Sequence, residues 1–245
     1  LDTGIYHLYH GTADNRNYSK RYNAIKNYSP DNFKKIDNLW TCKNKNITQH
    51  ILSYFLSRQE DDNVLAPNDV FDQIYVLNLD REPKKYDIIS KKLQKLNINF
   101  TRFSGVDGKN LNFDGSGFVQ GRGLLENKYA LGCAKSHIEL VRHAQKNGYK
   151  KILILEDDAI FSKNFIPMFQ NIKKLKSWKI LYLGASQHDW SNIEYLEDFY
   201  LAKKSAGTFA YALDCSVYND ILKEHNDDYT IDFNLSAIQE KYNTE

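Results

Sequence analysis

From Phe71 onward the chain alternates between short, nearly continuous apolar runs and longer stretches whose apolar positions recur at helical spacing. Gln73 to Leu79 predicts a strand, Lys84 to Leu96 a Lys-rich amphipathic helix, and Asn99 to Phe103 a second short strand. A Gly/Asp-rich loop runs from Gly105 to Gly123. Ala130 to Lys146 then predicts a helix leading into strand Lys151 to Leu155, and Asn164 to Leu175 a helix leading into strand Ile180 to Leu183. Strands this apolar, separated by helices, are covered on both faces. The pattern therefore predicts an α/β fold with a mostly parallel sheet flanked by helices. Ligands on such sheets bind beyond the carboxyl ends of the strands, where the strand order switches.

Upstream the pattern is weaker. Ile5 to Tyr9 is strand-like, a polar Tyr-rich stretch follows, and Ile47, Ile51, Leu52, Phe55 and Leu56 suit one face of a helix. The polar run Arg58 to Asn63 and the Pro67-Asn68-Asp69 turn signal separate this segment from the rest. The expected organisation is a small, mainly helical appendage over residues 1–62, a linker over 63–70 and a principal domain over 71–245. The appendage is too small and too polar to build a good core alone.

Composition narrows the function classes. A chain of 245 residues with 42% hydrophobic and 26% charged residues buries one substantial core. Lys+Arg of 33 against Asp+Glu of 31 leaves a net charge of +2, with the basic residues scattered in pairs, which argues against a nucleic-acid partner. Cys42, Cys133 and Cys215 show no CxxC spacing and no Cys/His cluster along the chain, so neither a zinc site nor a disulfide framework is expected. No apolar run approaches the ~20 residues of a membrane span, so no integral membrane segment is expected. The start at Leu1 carries no signal-peptide pattern and no initiator Met, which reads as a fragment whose targeting is unknown; soluble and cytoplasmic is the default.

The densest chemistry lies in Lys150 to Phe161, where an apolar strand delivers Glu156, Asp157 and Asp158 to its carboxyl end. The strand period of two sends Glu156 and Asp158 to one side and Asp157 to the other. Hard oxygen donors at that spacing suit Mg²⁺ or Mn²⁺, while turn capping by the aspartates is the structural alternative. The strand around Ile74 ends in Asn78, Asp80 and Arg81, groups able to receive a nucleotide base or phosphate, although taken alone a strand followed by a plain polar turn explains them better. Asp107 and Lys109, in the Gly105 to Lys109 stretch, can hydrogen-bond ribose and phosphate or form a simple Asp-Gly turn. Ser136 and His137 sit in the early turns of the predicted helix, where free N–H groups favour anions, and Gly132 permits tight packing there. A histidine satisfied within the core is the competing reading.

Taken in order, IYVLNLDRE, FSGVDGKNL, ALGCAKSHIELVRHA and KILILEDDAIF, with the AGTFAYAL stretch before Asp214, resemble glycosyltransferase family 25, the group of lipooligosaccharide-biosynthesis transferases and collagen hydroxylysine galactosyltransferases. The likeness runs from about residue 71 to the end. It implies a GT-A-like, Rossmann-related fold, a UDP-sugar donor contacted by Asn78, Asp80, Arg81, Asp107, Lys109, Ser136 and His137, and Mn²⁺ (or Mg²⁺) held by Glu156 and Asp158 as the outer positions of a DxD-like motif. It further implies inverting transfer of a hexose, galactose or glucose, to a hydroxyl of a glycan or of a hydroxylysine-containing protein. Asp232 resembles a late acidic residue of the family and is the expected base; Asp189 is the weaker competitor. The chain stops earlier than the family pattern, so a non-catalytic sugar-nucleotide or glycan-binding remnant is the alternative. The Ile5 to Gly11 region, with His10, resembles the tail of a separate glycosyltransferase domain, and no metal is expected to bind there.

Overall fold

The computed structural model describes residues 6–8, 33–36, 39–42, 64–113, 127–162, 165–191, 194–196 and 198–243. The predicted helix around Ile51, the His10 segment and the end of the Gly-rich loop lie outside these residues. Two compact units emerge: one joins residues 1–9 to 65–245, and the other spans residues 10–64. Strand β1 (Tyr6–Leu8) belongs to the first, whereas β2 (Phe33–Ile36) and β3 (Leu39–Cys42) form an antiparallel hairpin in the second.

The first unit continues through α1 (Pro67–Val70), β4 (Gln73–Asn78), α2 (Pro83–Lys95), β5 (Thr101–Ser104), a 3-10 turn at Gly108–Asn110 and α3 (Lys128–Lys146). After β6 (Lys151–Glu156) come α4 (Phe165–Phe169), β7 (Ile180–Gln187), β8 (Tyr195–Leu196), β9 (Phe199–Leu201), β10 (Ser205–Asp214), α5 (Tyr218–Glu224) and α6 (Ile231–Asn243). These strands form one eight-stranded sheet in the order β5-β4-β6-β10-β7-β1-β9-β8. Strands β5, β4 and β6 are parallel neighbours, as are β7 and β1. The α/β reading is borne out; the sheet is mixed, because β10 pairs antiparallel with both β6 and β7, and β9 with β1 and β8.

Strand periodicity divides the core cleanly. Tyr75, Leu77, Ile152 and Ile154 point to the face covered by α3, α5 and α6, where they meet Ile138, Val141, Ile221 and Leu235. Ile74, Val76, Leu153 and Leu155 point to the other face, where Ile89 and Leu93 of α2 and Phe165 and Phe169 of α4 cover them. Helix α2 is bracketed by chemistry the chain supplies: Pro83 opens its first turn, and Asn97 just beyond it adopts a left-handed φ of 55°.

Two elements differ from expectation. The segment Asn164 to Leu175 does not form one helix: α4 ends at Phe169 and tightens into a 3-10 turn over Gln170–Lys174, with the Gln170 amide bonded to both backbone groups of Leu65. Strand β7 runs on past Leu183 to Gln187, because Ser205 and Ala206 of β10 pair with Gln187 and Ser186. That partner is distant in sequence, so no local signal announces the extension.

Helix α3 begins where Asn127 Oδ1 accepts the backbone N–H groups of Tyr129 and Ala130. Its Gly132 then packs on the 3-10 turn: a Cβ there would lie 2.7 Å from Gly108 N and 2.8 Å from Val106 O. Only glycine allows the helix to approach that backbone, as the sequence reading of Gly132 expected. No helix among the described residues is long and apolar enough to cross a membrane.

Candidate functional site

Strand β4 has β5 on one side and β6 on the other, so the chain order switches at β4. Beyond the carboxyl ends of β4 and β6 lies a cavity of about 220 Å³, lined by Asn78, Arg81, Lys85, Ser136, His137 and the Glu156-Asp157-Asp158 triplet among others. This is where a sheet of this kind receives ligands.

Strand alternation holds to the last residue of β6. Glu156 continues the Ile152 and Ile154 face toward α3, where its Oε1 lies 3.6 Å from His137 Nε2 and accepts the Thr208 hydroxyl at 2.5 Å. The irregularity in β10 between Ala206 and Ala210 brings Thr208 there, and Gly207 within it adopts a φ of 102°, a region side chains rarely tolerate. Its N–H donates to Asp232 Oδ1 at 2.7 Å from the first turn of α6. His137 is 0% exposed, and its Nδ1 pairs with the Tyr211 hydroxyl at 2.9 Å. Its Nε2 has no hydrogen-bond partner. Cys133 stands four residues before His137 on α3, and the donor atoms of Cys133, His137 and Glu156 lie within 4.8 Å of one another.

Electrostatics on this inner side are coupled. Burial penalises the His137 imidazolium, but Cys133 and Glu156 beside the ring outweigh that and raise its pKa to about 9. For Glu156, burial works against the charged form, yet His137, Thr208 and Lys85 together hold its pKa below the usual carboxylate range. Asp232 moves the other way: burial raises its pKa, the Gly207 N–H opposes this, and the Glu156 charge reinforces it.

Asp157 takes the opposite face, where its Oδ2 accepts from Asn78 Nδ2 at 2.7 Å. The expectation that Asp158 shares a side with Glu156 is corrected, because the chain turns at residues 157 and 158 and the strand period stops there. Asp158 instead joins Asp157 around Lys85, whose ammonium lies 3.6 Å from Asp157 and 3.9 Å from Asp158. All three acids still border this cavity.

The residues expected to hold a nucleotide fall into two groups. Asn78, Arg81, Ser136 and His137 line the cavity, whereas Asp80, Asp107 and Lys109 are not among its lining residues. Asn78 is buried with its amide engaged, donating to Glu82 O and Asp157 and accepting from Arg102. Arg81 bridges Glu82 and Asp107 at 2.7 and 2.8 Å. Asp107 caps the 3-10 turn through the Lys109 N–H, which lowers its pKa with help from Arg81. Asp80 turns away to Arg102 and Ser104, whose hydrogen bonds lower its pKa, and its side chain stays 75% exposed.

The anion argument for Ser136 and His137 is overturned. Helix α3 begins at Lys128, so both lie in its third turn, past the N–H groups left unpaired at a helix start. Ser136 instead donates to Gly132 O and accepts the Val106 N–H, pinning the loop to the helix. Asp189, the weaker base candidate, is held by the backbone and hydroxyl of Ser191, which lower its pKa. Sequence reasoning did not place Cys133, Thr208 or Lys85 at the site. Cys133 was within reach, since four-residue spacing on a helix puts it on the His137 face. Thr208 and Lys85 arrive from β10 and α2 with no sequence signal.

Comparison with known proteins finds one family. A family model described as glycosyltransferase family 25 (LPS biosynthesis protein) matches residues 71–219. The chain is 28% identical over 162 residues to the inactive glycosyltransferase 25 family member 3 of Homo sapiens, covering 58% of this chain and 27% of that protein. It is 27% identical over 162 residues to the probable inactive glycosyltransferase 25 family member 3 of Rattus norvegicus, covering 58% and 28%. It is 25% identical over 133 residues to a glycosyltransferase 25 family member of Drosophila melanogaster, covering 47% and 21%. The match therefore spans little more than a quarter of the mammalian relatives' own length.

Proposed function

Since the chain belongs to glycosyltransferase family 25, we propose that it binds a UDP-hexose in the cavity beyond β4 and β6 and moves the hexose to an acceptor hydroxyl with inversion. Family membership implies a sugar donor and a sugar-accepting partner. Galactose or glucose as the sugar, and a glycan or hydroxylysine-containing protein as acceptor, are the finer parts of this proposal. The observation that carries it is the Glu156-Asp157-Asp158 triplet at the end of a buried strand, bordering one cavity with Arg81, Lys85 and His137.

The donor set suits a hard divalent cation, Mn²⁺ or Mg²⁺. Three carboxylates border the cavity, and Lys85 lies within 3.9 Å of two of them, so the spot already favours positive charge. Glu156 and Asp158 would hold the ion, which when bound neutralises charge on the departing diphosphate. Arg81 and Lys85 add positive charge along the same wall, and Asn78 holds the Asp157 carboxylate in place. Asp232 is the proposed base. Its raised pKa suits a group that takes the acceptor hydroxyl proton near neutrality, as the oxygen attacks the anomeric carbon and UDP departs from the opposite face.

A second reading is that the chain holds a sugar nucleotide or glycan without turnover. It is favoured by the engaged Asn78 amide, by Lys85 lying against the outer acids, and by the word inactive in the names of the mammalian relatives. A thermal-shift panel of UDP-galactose and UDP-glucose with and without Mn²⁺, paired with a UDP-release assay, separates the two. Mn²⁺-dependent stabilisation with UDP release supports transfer. Stabilisation without release supports the binding reading, and no stabilisation by either sugar nucleotide defeats both.

A further inference from the structure

Behind the outer acids, Glu156, proposed above as one holder of the donor's cation, also faces Cys133 and His137, whose thiol and ring nitrogen have no step in the proposed transfer. Helical spacing of four sets Cys133 and His137 on one face of α3, and β6 presents Glu156 to that face. One thiol sulfur, one imidazole nitrogen and one carboxylate oxygen lie within 4.8 Å of one another. His137 supplies a second, independent sign: it is completely buried, its Nδ1 is fixed by Tyr211, and its Nε2 is directed at the cluster with no hydrogen-bond partner. Glu156 faces that nitrogen at 3.6 Å, beyond hydrogen-bond range, so a buried polar group is met only by charge at a distance and a closer partner would improve on it. Metal-ligating histidines commonly show this division, with one nitrogen fixed by a neighbour and the other on the ion.

We infer that Cys133, His137 and Glu156 form a binding site for a borderline-soft transition-metal ion of the Zn²⁺ class, which shares Glu156 with the Glu156 and Asp158 pair proposed for Mn²⁺ but differs from it in its thiol and imidazole donors. Tetrahedral Zn²⁺ with bonds of about 2.0–2.3 Å sets its ligand atoms on the order of 3.5 Å apart. The 3.6 Å between His137 Nε2 and Glu156 Oε1 matches that edge. Cys133 is exposed on α3, and its Sγ lies within 4.8 Å of the other two donor atoms. All three residues line the cavity, so the fourth coordination position opens toward it, the arrangement of a reactive site and not of a closed structural one. Thiolate and imidazole select such an ion over Mn²⁺ or Mg²⁺, which prefer the outer carboxylates. Binding sends the His137 Nε2 proton and the Cys133 thiol proton to solvent, so affinity rises with pH. Glu156 stands between the two sets, its Oε1 on the inner side with His137 and Thr208.

The test is titration of the metal-stripped full chain with Co²⁺, followed by Zn²⁺ competition. One equivalent of Co²⁺ should give a thiolate-to-cobalt charge-transfer band that Zn²⁺ abolishes. Cys133→Ser should remove the band and weaken Zn²⁺ binding by about tenfold or more, while Cys215→Ser leaves both intact. Glu156→Gln should keep the band and weaken Zn²⁺ binding. Asp158→Ala should keep the band while losing Mn²⁺-dependent stabilisation by UDP-hexose, so this inference and the sugar-transfer reading fail separately. Absence of the band in the unmodified chain, its survival in Cys133→Ser, or Zn²⁺ affinity unchanged in Glu156→Gln would overturn the site.

Discussion

Asp232 opens α6 and turns its carboxylate to the Gly207 N–H, in surroundings that disfavour its charge. A carboxyl whose folded pKa is raised binds its proton more tightly when folded, so its contribution to stability declines as pH climbs from the ordinary carboxylate range through the folded value. Asp232→Asn keeps an acceptor for Gly207 and removes the charge. Its melting temperature should exceed that of the unmodified chain at neutral pH, with the difference closing below about pH 4; a gap independent of pH would refute the assignment. The same variant should retain UDP binding and lose transfer. Lys85 invites a parallel test, because its ammonium competes with a cation for Asp157 and Asp158. Lys85→Met should tighten Mn²⁺ binding by about 1 kcal/mol, on the order of fivefold, by calorimetry. Asp158→Ala should abolish metal-dependent turnover while leaving the circular dichroism spectrum unchanged, since its side chain is 60% exposed.

Helix α3 is the element on which the site depends, because it carries Cys133, Ser136 and His137 and presses Gly132 against the Gly108 turn. A methyl at 132 meets backbone atoms that cannot step aside. Gly132→Ala should therefore cost about 2 kcal/mol in denaturant unfolding, whereas Asn127→Ala, which removes the cap, should cost about 1 kcal/mol. If Gly132→Ala were neutral, the close approach would not be a constraint. The sequence made the existence and phase of α3 readable through its apolar spacing, and Gly132 through its chemistry. Its true start was hidden, since Asn127 caps through a side chain that no periodicity records. Strand β10 was hidden for a different reason: it pairs with β6 and β7 across long stretches of chain, and its irregular middle, which delivers Thr208 and the Gly207 N–H, breaks the two-residue alternation.

For the molecule as a whole, β1 is the revealing case, a three-residue strand from the start of the chain that hydrogen-bonds to β7 and β9 inside the main sheet. A chain of residues 64–245 would leave the facing edges of β7 and β9 unpaired, and it should melt below the 245-residue chain and associate more readily; equal melting temperatures would show that ladder to be dispensable. What the sequence determined by itself was the alternation of buried strands and amphipathic helices, the placement of three acids at a strand end, and the family. Each is a local or periodic property, set by which side chains lie a fixed number of residues apart. Only the tertiary structure decided that Asp158 sides with Lys85, that Ser136 pins a loop, and that Cys133, His137, Thr208 and Glu156 meet. Those outcomes depend on where the chain turns after β6 and on which distant strand fills the gap beside it, and neither is encoded in the spacing of nearby residues.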